Sequence, residues 1–341
     1  MIDGPDAPDL AVRELDEEII ISISNGGTSN NANEDYEEAD PIITKIIESD
    51  TTGTLSDSTY NFQGYIIYQL KNGLIGPAEY SDPDKARIVA QVDLKDDVDK
   101  LVNFSFDQTL GADVPTLMVD GNDEGIRHTF RVTEDAFATG DKNLVNFKTY
   151  YFSVIAYAHN NYKPYDPTDP NSQKLPYLEG RKNIKVYTAI PHNPTPENNG
   201  SVLNAEYGDG PELTRLAGQG NGGLILDLTE DSEKEALANG VDEEATYMGR
   251  RGPVDVMVYD PLKVPEADFE LFIFDTSTVL EGERLNPESS FWRLVNVTTG
   301  ETVVDTSDQP LSVVNEQILP EIGLSITCLL YTSDAADESV C

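Results

Sequence analysis

The 341-residue sequence predicts an all-β chain, two β-sandwich domains in tandem with one short helix in the second. Three observations predict it. Apolar and polar residues alternate over short runs such as Tyr150-Tyr-Phe-Ser-Val-Ile-Ala-Tyr157, and alternation turns one face of a strand toward a core. Turn-forming residues separate the runs, with 25 Gly and 20 Pro in the chain. A full set of helix start and stop signals occurs once: Thr229 as N-cap, Glu230 and Asp231 in the first turn, Leu237 as the buried residue and Gly240 just past the end.

In chain order, residues 1–6 read as an N-terminal extension. Leu10–Ser24 gives two strands around a turn at Asp16-Glu17. Residues 25–58, rich in Asn, Gly, Thr and acids, read as a long loop with one helical turn at the apolar patch Ile42, Ile43, Ile46, Ile47. Strands follow at Phe62–Leu70, Arg87–Asp93, Gly125–Val132, Tyr150–Tyr157 and Lys182–Ala189, the last after a Pro/Asp/Asn loop over 159–180. Seven or so strands with turn chemistry between them is the pattern of an immunoglobulin-like sandwich. Residues 191–200, Pro-His-Asn-Pro-Thr-Pro-Glu-Asn-Asn-Gly, read as a linker, since Pro stiffens the chain and Asn and Gly interrupt regular structure. The second domain, 201–327, has strands at Val254–Tyr259, Phe269–Phe274, Phe291–Val295, Glu301–Val304 and Ile322–Thr327. A hairpin turn falls at Val297-Thr-Thr-Gly300.

The spacing Leu144-x-Asn146-x-Lys148-x-Tyr150-x-Phe152-x-Val154-x-Ala156 is similar to the E–F corner and strand F of fibronectin type III domains. In that family a Leu plugs the core and a Tyr six residues later packs at the corner. Phe62-x-Gly-Tyr65-x-x-Tyr68 resembles its strand C, and Lys182–Ala189 its strand G. The resemblance implies a fibronectin type III-like domain over 7–190, enlarged by insertions around 25–58 and 95–122. It also implies that Leu144, Tyr150, Phe152, Val154 and Ala156 face inward and Tyr151, Ser153 and Tyr157 the other way. The ordering of the whole chain resembles multi-module surface proteins of Bacteroidetes-type bacteria exported by type IX secretion, which implies a secreted or cell-surface location. Residues 328–338, Cys-Leu-Leu-Tyr-Thr-Ser-Asp-Ala-Ala-Asp-Glu, resemble a translated sequencing adapter, which implies an artefactual tail over 328–341 and a fragment of a longer protein. Both cysteines lie in that tail. The remaining stretch therefore offers no disulfide, thiol nucleophile or cysteine metal site.

Charge narrows the partners. The net charge is −39 from 62 acids and 23 bases, with 33 acids and 16 bases in residues 1–190 and 29 and 7 in the rest. Such a field repels nucleic acid and anionic lipid and keeps a secreted surface hydrated. The expected partners are neighbouring domains of the same protein and an extracellular protein or glycan, with no nucleic acid and no membrane insertion. No apolar run approaches the roughly 20 residues of a membrane span.

The candidate chemistry is sparse. Asp120-Gly-Asn122-Asp-Glu124-Gly125 resembles the first half of an EF-hand loop, with oxygen ligands at positions one, three and five. Asp120, Asn122 and Glu124 are therefore candidate calcium ligands, although position twelve holds Arg131 instead of the bidentate Glu. Asp166 and Asp169 form a weaker candidate, and otherwise no cofactor is expected. Gly218-x-Gly220-x-x-Gly223 matches a dinucleotide fingerprint only as a pattern, because Leu224–Leu228 reads as a strand where a helix must open. The three histidines, His128, His159 and His192, lack metal-ligand spacing, and there is no Gly-x-Ser-x-Gly elbow. Tyr60, Tyr65, Tyr68, Tyr150, Tyr151 and Tyr157 are candidates for a sugar-binding face, against the commoner reading of core packing. The expected function is non-catalytic, a structural, adhesive or spacer region. The alternative is an accessory substrate-binding region of a secreted hydrolase.

Overall fold

Asp16 and Glu17 reverse the chain between β1 (Asp9–Leu15) and β2 (Glu18–Ser24), with Glu17 at φ 55°. β8 (Thr129–Val132) adds to the other edge of β2, giving an antiparallel sheet in the order β1-β2-β8. The computed structural model describes residues 2–51, 53, 55, 57–195, 203, 205–218, 227–240, 244–277 and 285–328. The chain divides into two units, Met1–Pro194 and Thr195–Cys341.

The second sheet of the first unit is built on two long strands, β4 (Thr59–Leu70) and β9 (Tyr150–His159), paired antiparallel with Tyr65 opposite Ala156 and Ile67 opposite Val154. β3 (Glu37–Ala39) and β5 (Ala86–Asp93) share the outer edge of β4, and β10 (Tyr177–Glu179) and β11 (Tyr187–Ala189) share that of β9. One core joins the sheets. Ile19, Ile21, Ile23, Phe130 and Val132 from the first meet Phe62, Tyr65, Ile67, Tyr150, Phe152, Val154 and Ala156 from the second.

The opposite face of β4 and β9 is also buried. Ile66, Tyr68, Leu70, Ile155 and Tyr157 pack there against Ile75, Tyr80, Leu101 and Val119. The cover comes partly from a hairpin of β6 (Lys100–Asp107) and β7 (Ala112–Asp120), within the segment read as an insertion. The turn is set locally. Asp107 accepts the N–H groups of Thr109 and Leu110, and Gly111 takes φ 63°.

Three expectations for this unit are corrected. The 25–58 segment carries β3 and a helix, α1 (Pro41–Ser49), capped by Asp40, whose carboxylate accepts the Ile42 N–H at 2.6 Å. Asp-Pro at N-cap and N1 is a helix start signal, and Ile43 supplies the buried face. Residues 2–6 are not an extension: Ile2 is in the core, and Gly4 packs so closely on Glu179 and Gly180 that a Cβ would lie 2.8 Å from the Glu179 carbonyl oxygen. Residues 191 and 192 belong to this unit rather than to a linker, because Phe147 N–H bonds the Pro191 carbonyl and His192 N–H the Leu15 carbonyl. Tyr157 faces away from the first core as expected, yet is wholly buried, because the second face is covered.

In the second unit β12 (Leu213–Thr214) pairs with β13 (Thr246–Tyr247). β14 (Val254–Val258) and β18 (Gln317–Leu319) flank β19 (Leu324–Cys328), and β15 (Phe269–Asp275) and β17 (Glu301–Val304) flank β16 (Ser290–Asn296). The two three-stranded sheets share a core of Val254, Val256, Ile326, Trp292 and Leu294. The helix α2 (Glu230–Asn239) ends at Gly240 in the left-handed region, φ 79°. Leu237 is 87% exposed, against expectation. The charge-rich helix instead rests on buried Ser232, which accepts the Thr246 N–H. Cys328, placed by sequence in the tail, is the last residue of β19, opposite Val254 and buried; alternation from Leu324 and Ile326 turns it inward. Residues 329–341 lie outside the described residues, as does most of Gly218–Leu228.

Candidate functional site

The loops after β5 and β7 contain the calcium candidates, and their backbone is held by carboxylates. Asp93, 2% exposed at the end of β5, accepts the N–H groups of Asn122 and Asp123 at 3.2–3.3 Å. Asp123 returns the contact, its carboxylate accepting the N–H of Asp96 at 2.7 Å and of Asp97 at 3.0 Å. Gly121 makes room, since a Cβ there would lie 2.1 Å from a carboxylate oxygen of Asp93. Burial, with Asp123 and Asp96 close by, raises the Asp93 pKa despite the two N–H bonds. Asp120, Asn122 and Glu124 are exposed, and Asp120 pairs with Lys100 at 3.1 Å. Among the described residues no group of three or more His, Cys, Asp or Glu side chains is arranged to hold a metal ion. Asp166 and Asp169 accept bonds from their own loop, from Thr168 and Asn171 N–H groups.

A second cluster closes the 25–36 loop over the sandwich. Tyr65, fully buried on β4, donates to Glu34 at 2.9 Å and accepts from the Asn25 amide at 2.7 Å and the Asn31 amide at 3.4 Å. His128 Nε2 lies 2.6 Å from the same Glu34 oxygen. Glu34 takes φ 60°, and its side chain is 9% exposed. Burial first, and the Glu34 charge second, hold the Tyr65 phenol well above its ordinary pKa, so it is a protonated donor. The expectation that His128 is structural left out its partner: Glu34 is 94 residues away in sequence, and no local motif links the two.

A third cluster organises the 133–150 corner. Asp135, 5% exposed, accepts from Gln69 at 2.7 Å, from Lys148 at 2.6 Å and from Phe137 N–H at 2.9 Å. Burial pushes its pKa up, but the bonds from Lys148, Phe137 and Gln69 outweigh that and hold it below the usual Asp value. Beside it the Tyr150 hydroxyl accepts the Val145 N–H at 2.9 Å. Asn146 reaches the first hairpin turn, bonding Asp16 and accepting the Glu17 N–H.

The tyrosines do not form a sugar platform. Tyr60, Tyr65, Tyr68, Tyr150 and Tyr157 are buried and Tyr151 is partly so, because both faces of the β4–β9 sheet are covered. A shallow depression lined by Lys71, Asn72, Leu74, Ile75, Glu79, Asp84 and Lys85 contains none of the three clusters. What the geometry defines is an all-β protein whose buried ionisable groups fasten loops to sheets. Comparison with protein-family models, with curated proteins and with solved structures finds no match to this chain. Among the described residues no helix is long and apolar enough to cross a membrane.

Proposed function

We propose that this chain is a non-catalytic structural or adhesive region of a secreted or cell-surface protein, with a fibronectin type III-like first unit. The observation that carries the reading is the fate of the buried polar groups. Glu34, His128, Asp93 and Asp135 each spend their hydrogen bonds on backbone or on a partner that closes a loop. An acid–base site instead keeps a group aimed at substrate. The strand order β1-β2-β8 against β11-β9-β4-β5, together with the Tyr150 hydroxyl bonded back to Val145, supports the domain type. The surface charge favours hydration and disfavours nucleic acid as a partner.

The second reading, an accessory region that binds the substrate of a neighbouring hydrolase, is favoured by exposed Phe106, Leu110 and Leu117 on the β6–β7 hairpin. Incubating the full chain with chromogenic glycoside and peptide panels tests the first reading, and no turnover is expected. Turnover abolished by Glu34→Gln or His128→Asn would overturn it. Retention on insoluble polysaccharide columns would favour the second reading.

A further inference from the structure

The β6–β7 hairpin covers the sandwich with one face and presents the other to solvent. Leu101 and Val119 point inward, so alternation places Val102, Phe104 and Phe106 on the opposite face, across from Leu117, Pro115 and Asp113. That outer face is mostly apolar, with Tyr165 and Lys174 of the 160–175 loop over its Phe104–Asp113 part and the rest open. Phe106 is 64% exposed, Leu117 55%, and Leu110 at the turn 70%, with Val102 and Phe104 half-buried. Phe104 is itself stacked on Tyr165 with ring centroids 3.7 Å apart, which makes that end of the strip rigid. Exposed apolar residues clustered on one inserted element, rather than scattered singly, mark an interaction surface.

The charge of the segment that carries the hairpin says what kind of partner fits. Residues 95–124 contain eight acids (Asp96, Asp97, Asp99, Asp107, Asp113, Asp120, Asp123, Glu124) and two lysines (Lys95, Lys100), a net −6. Lys100 is engaged by Asp120, and Lys174, which reaches the strip from the 160–175 loop, by Asp113 at 2.7 Å. A second copy would bring one −39 chain against another. Pairing along the free edge of β7 is hindered by Pro115, which lacks an N–H. An apolar face of Phe106, Leu110 and Leu117 on an acidic segment is answered by a partner with both apolar and cationic groups, which suits a basic peptide better than a neutral glycan.

We propose that the outer face of the β6–β7 hairpin docks a cationic amphipathic polypeptide, its apolar side chains on Phe106, Leu110 and Leu117 and its lysines or arginines over the surrounding carboxylates. The proposal rests on the adhesive reading above and names the partner's chemistry. Its direct probe is a pair of synthetic peptides of equal charge and length, one alternating Lys with Leu and the other Lys with Ser, titrated into the full chain by calorimetry. The measurement is made at ~0.15 M NaCl, where the Debye length is about 8 Å. The Lys/Leu peptide is expected to bind at least about tenfold tighter, the increment that burying two or three apolar side chains supplies. Phe106→Ser with Leu117→Ser should bring the two peptides to within about twofold. Unchanged melting temperature and circular dichroism verify that the variant folds.

Equal binding of the two peptides to the wild type, or a preference that survives the double substitution, overturns the proposal. So does a dimer in sedimentation that the double substitution dissociates, since the occupant would then be a second copy. Selective retention of the wild type on polysaccharide would overturn it in favour of a glycan. None of these outcomes produces turnover, so failure here is distinct from failure of the non-catalytic reading.

Discussion

Tyr150 combines the two kinds of stabilisation that single residues contribute to this protein. Its ring is 2% exposed between the sheets, and its hydroxyl accepts the Val145 N–H. Tyr150→Phe keeps the ring and leaves that N–H without its acceptor, which should cost about 1–2 kcal/mol. Tyr150→Ala also opens a cavity and should cost about 3–5 kcal/mol. Urea titration of both variants separates the terms, and equal costs would mean that the hydroxyl contributes nothing. Asp135 makes a pH-dependent prediction. Its pKa is depressed in the fold, so the ionised form is favoured there. The stability it contributes is present above the ordinary Asp value near 4 and is lost as pH falls through the depressed value. The urea midpoint should therefore fall on acidification below about pH 4, and Asp135→Asn should flatten that limb. A limb of unchanged steepness would show that Asp135 is not responsible. Asp93 has the opposite sign, because burial raises its pKa, and acidification through that value relieves the fold rather than loading it.

At the scale of elements, the β4–β5 pair depends on a glycine. Gly64 follows a register shift in the pairing of β4 with β9, and a Cβ there would lie 2.1 Å from the Val92 carbonyl oxygen and 2.6 Å from the Tyr157 hydroxyl. Neither neighbour has room to retreat: Val92 is paired in β5, and Tyr157 is packed between β4 and the hairpin cover. Gly64→Ala should separate β5 from β4 and cost about 1–3 kcal/mol, or more if the strand detaches. Hydrogen exchange on Ala86–Asp93 should rise selectively, and a uniform loss of protection would argue against a local effect. The helices show how an element's identity can be legible while its packing is not. Gly240 ends α2 as its sequence indicates, yet Leu237 faces solvent, because only Ser232 of that helix is buried.

For the whole molecule the dominant long-range effect is charge. With 62 acids against 23 bases, self-repulsion opposes the folded state, and it reaches furthest at low ionic strength, where the Debye length is about 30 Å at 0.01 M salt. Added NaCl should raise the melting temperature by screening. Millimolar CaCl₂ at matched ionic strength should give the same melting temperature, because Asp120, Asn122 and Glu124 are exposed and Asp120 is paired with Lys100. A calcium-specific rise abolished by Asp120→Ala would instead assign an ion to that loop. A site held at 100 times its dissociation constant adds about 2.7 kcal/mol, enough to resolve in a thermal scan.

The division between sequence and tertiary structure follows the range of the forces. Alternation and turn chemistry act within a few residues, so β1, β2, β4, β5, β9 and β14–β17 were legible in the chain to within a few positions. The start signal Asp40-Pro41 of α1 and the alternation Val102, Phe104, Phe106 of β6 are equally local, but they sit in segments whose Asn, Gly, Thr and acidic composition favours loops. What no local pattern contains is coverage. Tyr68, Ile155 and Tyr157 look like the outer face of a two-layer sandwich until the hairpin packs over them, and only that third layer decides that they are core. The same holds for the polar clusters. Glu34 meets His128 across 94 residues, and Gln69 meets Asp135 across 66. A carboxylate acquires its partner, and hence its pKa, only when the fold brings distant strands together, because hydrogen bonds act over about 3 Å and the sequence sets no distance beyond its own neighbours.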